Sequence, residues 1–192
     1  MSDVISGLRV AAATMALCVA GYTALILGVA QVVTPATANG SLLTNAAGEM
    51  VGSRLIAQAF TAPEDFWPRP SAVAYDAAGA GGSNLSPANP DLAERATALI
   101  AAYGGATPER PIPADLVTAS GAGLDPHISL EGALFQADRV AKARGGEISA
   151  VTSLVRAMAY APGGVFTKGR IVNVLELNLA LDTELAAPPV SE

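Results

Sequence analysis

The chain has 192 residues, with 17 acidic and 11 basic side chains and a formal net charge of −6. It has no basic cluster, so the composition argues against a nucleic-acid-binding protein. The single cysteine lies in an uncharged apolar run, which excludes an internal disulfide and a cysteine-based metal site. The single histidine excludes a multi-histidine site, and we predict that this chain holds no metal.

The first element in the chain is the uncharged run from Val10 to Ala30. As a helix that rises about 1.5 Å per residue, it would be about 31 Å long, enough to cross a hydrocarbon core of about 30 Å. We therefore predict a cytoplasmic tail over residues 1–9, a transmembrane helix over 10–30 and one domain over 31–192. A cleaved signal peptide is the alternative, because Ala36-Thr37-Ala38 has the A-x-A form of a cleavage site.

Small residues recur at every fourth position of this run. That spacing lets the backbone of another helix approach closely, which is how helices associate in lipid. Tyr22 lies near the middle, where its hydroxyl needs a hydrogen-bond partner that lipid tails cannot supply. We predict that this face binds partner helices, although an Ala-rich composition could also produce the repeat. The small-residue stripe consists of Ala12, Ala16, Ala20, Ala24 and Gly28.

The distribution of basic residues predicts the orientation of the helix. Arg9 precedes the apolar run, and no Lys or Arg follows it until Arg54. The positive-inside rule counts these residues near the ends of a span, so it places the N-terminus in the cytoplasm. The domain would then be extracytoplasmic, and periplasmic in a Gram-negative bacterium.

Beyond the helix, the pattern predicts an α+β domain with a small sheet and about three to four helices. Two extended segments, 41–44 and 49–58, flank a turn at 45–48 that ends in Gly48, and they predict a hairpin. Gly52 in the second segment indicates a bulge or a close backbone approach. A segment with two prolines follows at 66–71 and contains the single Trp, and we interpret it as a loop held by its aromatic side chains. The alternative is a contact surface formed by its aromatic side chains and Arg69.

Helix start signals occur three times between residues 89 and 173. Asn89-Pro90 predicts an N-cap followed by Pro at the first helical position, with the helix ending at Gly104-Gly105. Ser129 predicts the cap of a second helix, and apolar spacing predicts a third over about 148–160. The segment 171–182 is ambiguous, and we predict a short strand at 170–172 followed by a helix. Asn173 and a glutamate three residues later have the spacing of a capping box.

Seven ordered sequence blocks resemble the potassium-transporting ATPase C chain family, the accessory subunit of the Kdp system. The resemblance covers about residues 20–182 in the same order, which makes it far more specific than any one block. The blocks are ANGSL (38–42), VGSRLI (51–56), RPSA (69–72), GGSNL (81–85), LVTAS (116–120), GLDPHIS (123–129) and VNVLELNLALD (172–182).

The resemblance implies a non-catalytic, single-pass subunit of the inner membrane, part of a high-affinity ATP-driven potassium import complex. Its implied partners are a K⁺-selecting channel-like subunit, a P-type ATPase subunit and a small single-helix subunit. The family is described as a catalytic chaperone that raises the affinity of the ATPase subunit for ATP. The family's glycine loop, likened to a nucleotide loop, corresponds here to Gly81, Gly82, Ser83 and Asn84.

Two features bear on the role of this glycine loop. Ala80 replaces the serine that usually precedes it in the family, and no Lys or Arg lies between Arg69 and Arg95. A phosphate site usually combines converging amides with a cation. We therefore expect a structural or partner-facing loop in which Gly82 adopts a positive φ. The alternative is direct contact with ATP.

An enzymatic alternative rests on three residues in one glycine-rich region. Ser120, Asp125 and His127 lie close together in sequence, and a membrane-anchored hydrolase could use such residues. No nucleophile-elbow pattern surrounds them, and Asp-Pro is an ordinary turn former. We predict that the chain is not catalytic by itself.

Overall fold

A computed structural model describes residues 2–185 and divides the chain into two compact units, one ending at Leu42 and one beginning at Leu43. The predicted domain boundary of 31–192 therefore extends past the described residues at its C-terminal end. Each unit is considered by itself below.

The first unit consists mainly of one helix, α1, from Ser2–Val33. It is long and apolar enough to cross a membrane, with a mean hydropathy of 2.0 in its most apolar window. The helix starts earlier than the predicted span and includes most of the predicted tail. Asp3 in its first turn suits the positive end of the helix dipole. The limits of the membrane span within α1 stay a prediction.

A π-turn interrupts the regular geometry of α1 at Ala16–Gly21. The turn contains two members of the small-residue stripe and ends immediately before Tyr22, whose side chain is exposed in the unit. π-turns inside α-helices are rare and are frequent at functional sites. A single helical turn at Pro35–Ala38 then ends the unit's helical part.

The predicted hairpin is confirmed, with strands β1 (Leu42–Thr44) and β2 (Met50–Ser53). The turn is closed by the Asn45 side chain, which accepts hydrogen bonds from the amides of Ala47 and Glu49. β2 is shorter than predicted. A neighbour lies close to Gly52, but it is the Gln58 side chain rather than the predicted backbone, since a Cβ at position 52 would collide with the Gln58 amide group.

Four helices follow, each close to its predicted position: α2 (Pro90–Ala102), α3 (Leu130–Arg144), α4 (Ile148–Met158) and α5 (Val174–Glu184). The predicted caps are confirmed for three of them. Asn89 accepts a hydrogen bond from the Asp91 amide, Ser129 from the Gly132 amide and Asn173 from the Glu176 amide.

Strands β3 (His127–Ser129) and β4 (Ile171–Asn173) form a second, antiparallel two-stranded sheet. The sequence predicts β4 but treats the region of β3 as turn-forming, so β3 is a correction. Helix α4 also ends at Met158 rather than at Tyr160. The backbone of Tyr160 pairs with Ile171 in both directions, at 3.0 and 2.9 Å, which draws it out of the helix.

The core of this unit lies between α3, α4, α5 and the β3–β4 sheet. Its fully buried large side chains include Phe66, Leu116, Ile128, Leu177 and Leu181. Phe66 enters from the proline-containing segment, which confirms that aromatic side chains hold this loop. The amide of Asn178 fixes the Phe66 backbone by bonding to both its N–H and its C=O, at 2.8 and 3.1 Å.

We expect Asn173→Ala to lower the free energy of unfolding by about 2 kcal/mol, the cost of a cap plus a buried hydrogen bond. The Asn173 side chain accepts from the Glu176 amide and also donates to the Arg54 carbonyl at 2.7 Å. Asn89→Ala is the matched control, since that exposed cap should cost about 1 kcal/mol or less. Denaturant unfolding of the full chain in detergent compares them, and equal losses would contradict the prediction.

Candidate functional site

The glycine loop packs against a second loop, residues 120–123. The Gly81 amide donates to the Ala122 carbonyl at 2.9 Å, so one of the amides proposed for phosphate already has a partner. A Cβ on Gly82 would lie 2.9 Å from the Gly121 carbonyl oxygen. Real Cβ atoms do not sit this close to backbone. Glycine is therefore needed at position 82 because two backbones approach closely.

The expectation that Gly82 has a positive φ is wrong. Positive φ values in this region occur at Asn84 (51°) and, in the opposing loop, at Gly123 (68°). Asn tolerates the left-handed region better than most residues, because its short polar side chain can bond locally. The Gly-Gly pair is explained by contact between the loops rather than by a tight turn.

A cluster of polar side chains surrounds His127. Its Nδ1 lies 3.2 Å from Asp125 Oδ1, and its Nε2 lies 2.9 Å from the Tyr160 hydroxyl. Arg69 adds an ion pair to the other oxygen of Asp125 at 3.3 Å. A shallow cavity of about 220 Å³ opens beside these groups and is also lined by Asp115. The cluster joins three separate segments of the chain.

Asp125 is the electrostatic centre of this cluster. Burial alone would raise the pKa of its carboxyl group, but hydrogen bonds from His127 and the charge of Arg69 outweigh burial and lower it. The ionised carboxylate is therefore the form that the fold stabilises. Its second bond from His127, through the backbone amide at 3.0 Å, fixes the start of β3.

The structure does not assemble Ser120, Asp125 and His127 as a nucleophile, acid and base. Ser120 is buried, and its Oγ faces the Asp125 amide at 3.5 Å. Both His127 ring nitrogens are occupied by Asp125 and Tyr160. Within residues 2–185, no hydrogen bond joins Ser120 to His127, and that contact is the one that activates a serine.

Arg69 and Tyr160 belong to this cluster, and sequence reasoning did not assign them to it. Arg69 lies 56 positions before Asp125, and no local pattern connects the two residues. Tyr160 reaches His127 only because it leaves helix α4 to pair with Ile171. Among the described residues, no group of three or more His, Cys, Asp or Glu side chains is arranged to hold a metal ion.

We expect Asp125→Asn to lower the free energy of unfolding by about 1 kcal/mol at pH 7, since it weakens hydrogen bonds to a charged group that is 35% exposed and therefore partly screened by solvent. The pKa of Asp125 is lowered in the folded state, so this stabilisation is present above the unfolded pKa of about 3.9. The stabilisation is lost as the pH falls through the pKa that Asp125 has in the folded state. Unfolding midpoints at pH 7 and pH 3 measure it.

The difference between wild type and Asp125→Asn should therefore shrink at pH 3. Asp138→Asn is the control, because Asp138 forms an exposed pair with Lys142. That variant should differ little from wild type at pH 7. A pH-independent loss in Asp125→Asn would show that the ionised carboxylate is not the source of the stabilisation.

Comparison with known proteins extends over nearly the whole chain. The family model described as KdpC, the K⁺-transporting ATPase c chain, matches residues 4–183. The chain belongs to the KdpC family. Its relatives named potassium-transporting ATPase KdpC subunit include one from Parvibaculum lavamentivorans, 56% identical over 95% of this chain and 97% of the relative. Another, from Geobacter sulfurreducens, is 49% identical over 87% of this chain and 90% of the relative.

Membership of the KdpC family confirms the resemblance seen in the sequence blocks. It makes the chain a subunit of the Kdp K⁺-transporting ATPase, a membrane complex, so it has partner subunits. Helix α1 is compatible with a single-pass anchor in that complex. The match also spans the glycine loop and the His127 cluster, so both belong to the family domain.

Proposed function

We propose that this chain is a non-catalytic accessory subunit that stabilises the Kdp complex and raises the ATP affinity of its P-type ATPase subunit through contacts. The observation that carries the proposal is the family match over residues 4–183. Its partners would be the channel-like, ATPase and small single-helix subunits. The chain would lie in the bacterial inner membrane, with its N-terminus in the cytoplasm and its domain in the periplasm.

An indirect effect on ATP is supported by the geometry of the glycine loop. The Gly81 amide bonds to Ala122, and Gly82 lies against the Gly121 carbonyl. Arg69, the basic residue that precedes the loop in sequence, is paired with Asp125. These contacts favour a loop that shapes the domain surface over one that cradles phosphate.

The test is the ATP dependence of K⁺-stimulated hydrolysis by the purified complex. We expect removal of this chain to raise the KM for ATP, and Ser83→Ala to leave it within about twofold, since one hydroxyl on a backbone-packed loop is lost. Calorimetry on the full chain in detergent is the second measurement. Saturable ATP binding at micromolar concentration, abolished by Ser83→Ala, would instead favour direct nucleotide contact at the loop.

The orientation can be tested with single cysteines, because the natural one, Cys18, lies within α1 and can be replaced by Ala. In that background, Ala106→Cys should react with a membrane-impermeant maleimide added to spheroplasts, and Ser2→Cys only after lysis. The reverse pattern would place the domain in the cytoplasm and contradict the proposal.

Helix α1 would bind partner helices through the small-residue stripe. Ala16→Leu with Ala20→Leu should reduce co-purification of the other subunits, because the larger side chains block close approach. Ala11→Leu with Ala30→Leu adds the same volume off the stripe and is the control. Full recovery of the complex with the first double variant would mean that the repeat only reflects composition.

A further inference from the structure

Two adjacent apolar side chains project from the loop that joins α4 to β4. Val165 is 94% exposed and Phe166 is 93% exposed, more than any other large apolar side chain among residues 2–185. Single exposed apolar residues are common on protein surfaces, but an adjacent pair that is almost fully exposed indicates a contact with something outside the chain. We call this pair the apolar tip.

The loop holds the apolar tip in a closed turn. The Thr167 hydroxyl accepts a hydrogen bond from the Gly163 amide at 3.0 Å, and the Phe166 amide donates to the Gly163 carbonyl at 3.0 Å. At the base of the loop, the backbones of Tyr160 and Ile171 pair in both directions. The turn is therefore ordered before any contact forms, which lowers the entropic cost of binding through it.

The segment that carries the apolar tip is basic, although the chain as a whole is acidic. Residues 148–175 contain Arg156, Lys168 and Arg170 and no Asp or Glu, whereas the net charge of the chain is −6. All three basic residues are exposed. Arg170 donates to the Arg156 and Ala159 carbonyls, so its guanidinium lies at the same end of α4 as Arg156. Apolar and cationic side chains are thus exposed together on this segment.

A lipid bilayer fits this combination better than a protein surface does. A stable protein interface buries about 800 Å² on each partner, and two side chains on a narrow turn present far less apolar surface. Insertion into lipid needs no complementary pocket, and anionic headgroups attract Lys and Arg near the membrane surface. The short segment 34–42 tethers the second unit to α1, so a bilayer that holds α1 is present at a high effective concentration.

We propose that the apolar tip inserts into the membrane surface on the domain's own side, and that Arg156 and Lys168 bind the headgroups of anionic phospholipids there. The second unit then has a contact with lipid in addition to its tether to α1. The charge of the segment makes this contact specific for anionic lipid over zwitterionic lipid. The proposal rests on membrane anchoring by α1 and not on the ATP mechanism, so either one can fail without the other.

Photo-crosslinking of the purified complex in lipid nanodiscs tests the contact. A benzophenone amino acid in place of Val165 should form phospholipid adducts, identified by the mass of the labelled peptide. The adducts should form about tenfold faster in phosphatidylglycerol than in phosphatidylcholine. Ala106, which is exposed on the loop after α2 and outside the basic segment, is the control position. Capture of a partner subunit alone, or no lipid adduct above the level at Ala106, would overturn the proposal.

Two substitutions separate the apolar and the electrostatic contributions. With the cross-linker at position 165, Phe166→Ser should slow lipid capture in phosphatidylglycerol about tenfold, because the inserted ring is lost. Lys168→Glu should slow it by a similar factor, and more strongly at low salt. Lys142→Glu changes the net charge equally at an exposed position on α3 and is the control. Both tip variants alter exposed residues, so their unfolding midpoints should match wild type, and an unchanged capture rate in either folded variant would refute the proposal.

Discussion

Arg144→Met should lower the free energy of unfolding by about 2–4 kcal/mol, because a buried charged group loses its hydrogen bonds while its acidic partners stay partly solvated. The Arg144 side chain is only 2% exposed and lies at the end of α3. Its guanidinium donates to the Glu64 carbonyl at 2.7 Å and to Asp182 at 2.9 Å, and it also contacts Asp65. The substitution leaves these acceptors without their donor in a partly buried site.

Lys142→Met is the matched control, because Lys142 lies two residues earlier on α3 and is 75% exposed. Its pair with Asp138 at 2.8 Å is a surface contact between positions i and i+4, worth a few tenths of a kcal/mol. Denaturant unfolding of both full-length variants in the same detergent gives the comparison. Losses of similar size would mean that Arg144 contributes little beyond an ordinary surface charge.

Gly123→Ala should lower the free energy of unfolding by about 2–4 kcal/mol, because steric overlap adds to backbone strain. Gly123 has a φ of 68°, and a Cβ there would lie 2.6 Å from Val73 Cγ2 and 2.9 Å from the Gly81 carbonyl oxygen. The new methyl group would push the loop at residues 120–123 away from the glycine loop. Thermal unfolding in detergent measures the loss.

Gly121→Ala is the control for this effect, since a Cβ at Gly121 meets nothing within 4 Å and its φ is not positive. This variant should change stability by less than about 1 kcal/mol. Gly82→Ala should resemble Gly123→Ala, because its Cβ would meet the Gly121 carbonyl oxygen. If Gly82→Ala instead leaves stability unchanged and alters only the ATP dependence of the complex, the glycine loop acts on nucleotide directly.

Local signals in the sequence predicted much of the fold. Asn89, Ser129 and Asn173 each begin a helix, because a cap depends on residues within one turn of itself. Strand β3 was missed because it has three residues and pairs with β4, more than forty positions later. Its hydrophobic pattern is too short to identify a strand by periodicity.

The glycine loop shows what sequence reasoning lacks at a candidate site. The motif is recognisable in the sequence, but the prediction that Gly82 needs a positive φ is wrong. Glycine is required at position 82 because the carbonyl of Gly121, thirty-nine positions away in sequence, lies against it. The association of Arg69, His127 and Tyr160 also depends on contacts that are distant in sequence. Such contacts can be identified only once the chain is folded.

The π-turn in α1 changes which way the small-residue stripe runs along the helix. In a regular α-helix, residues four apart are rotated by about 40° relative to one another, so the four steps from Ala12 to Gly28 would carry the stripe about 160° around the axis. A π-turn has more residues per turn, so a four-residue step within Ala16–Gly21 falls short of a full turn and rotates backwards. The five small residues therefore occupy a narrower arc, and one straight neighbouring helix can follow them without coiling around α1.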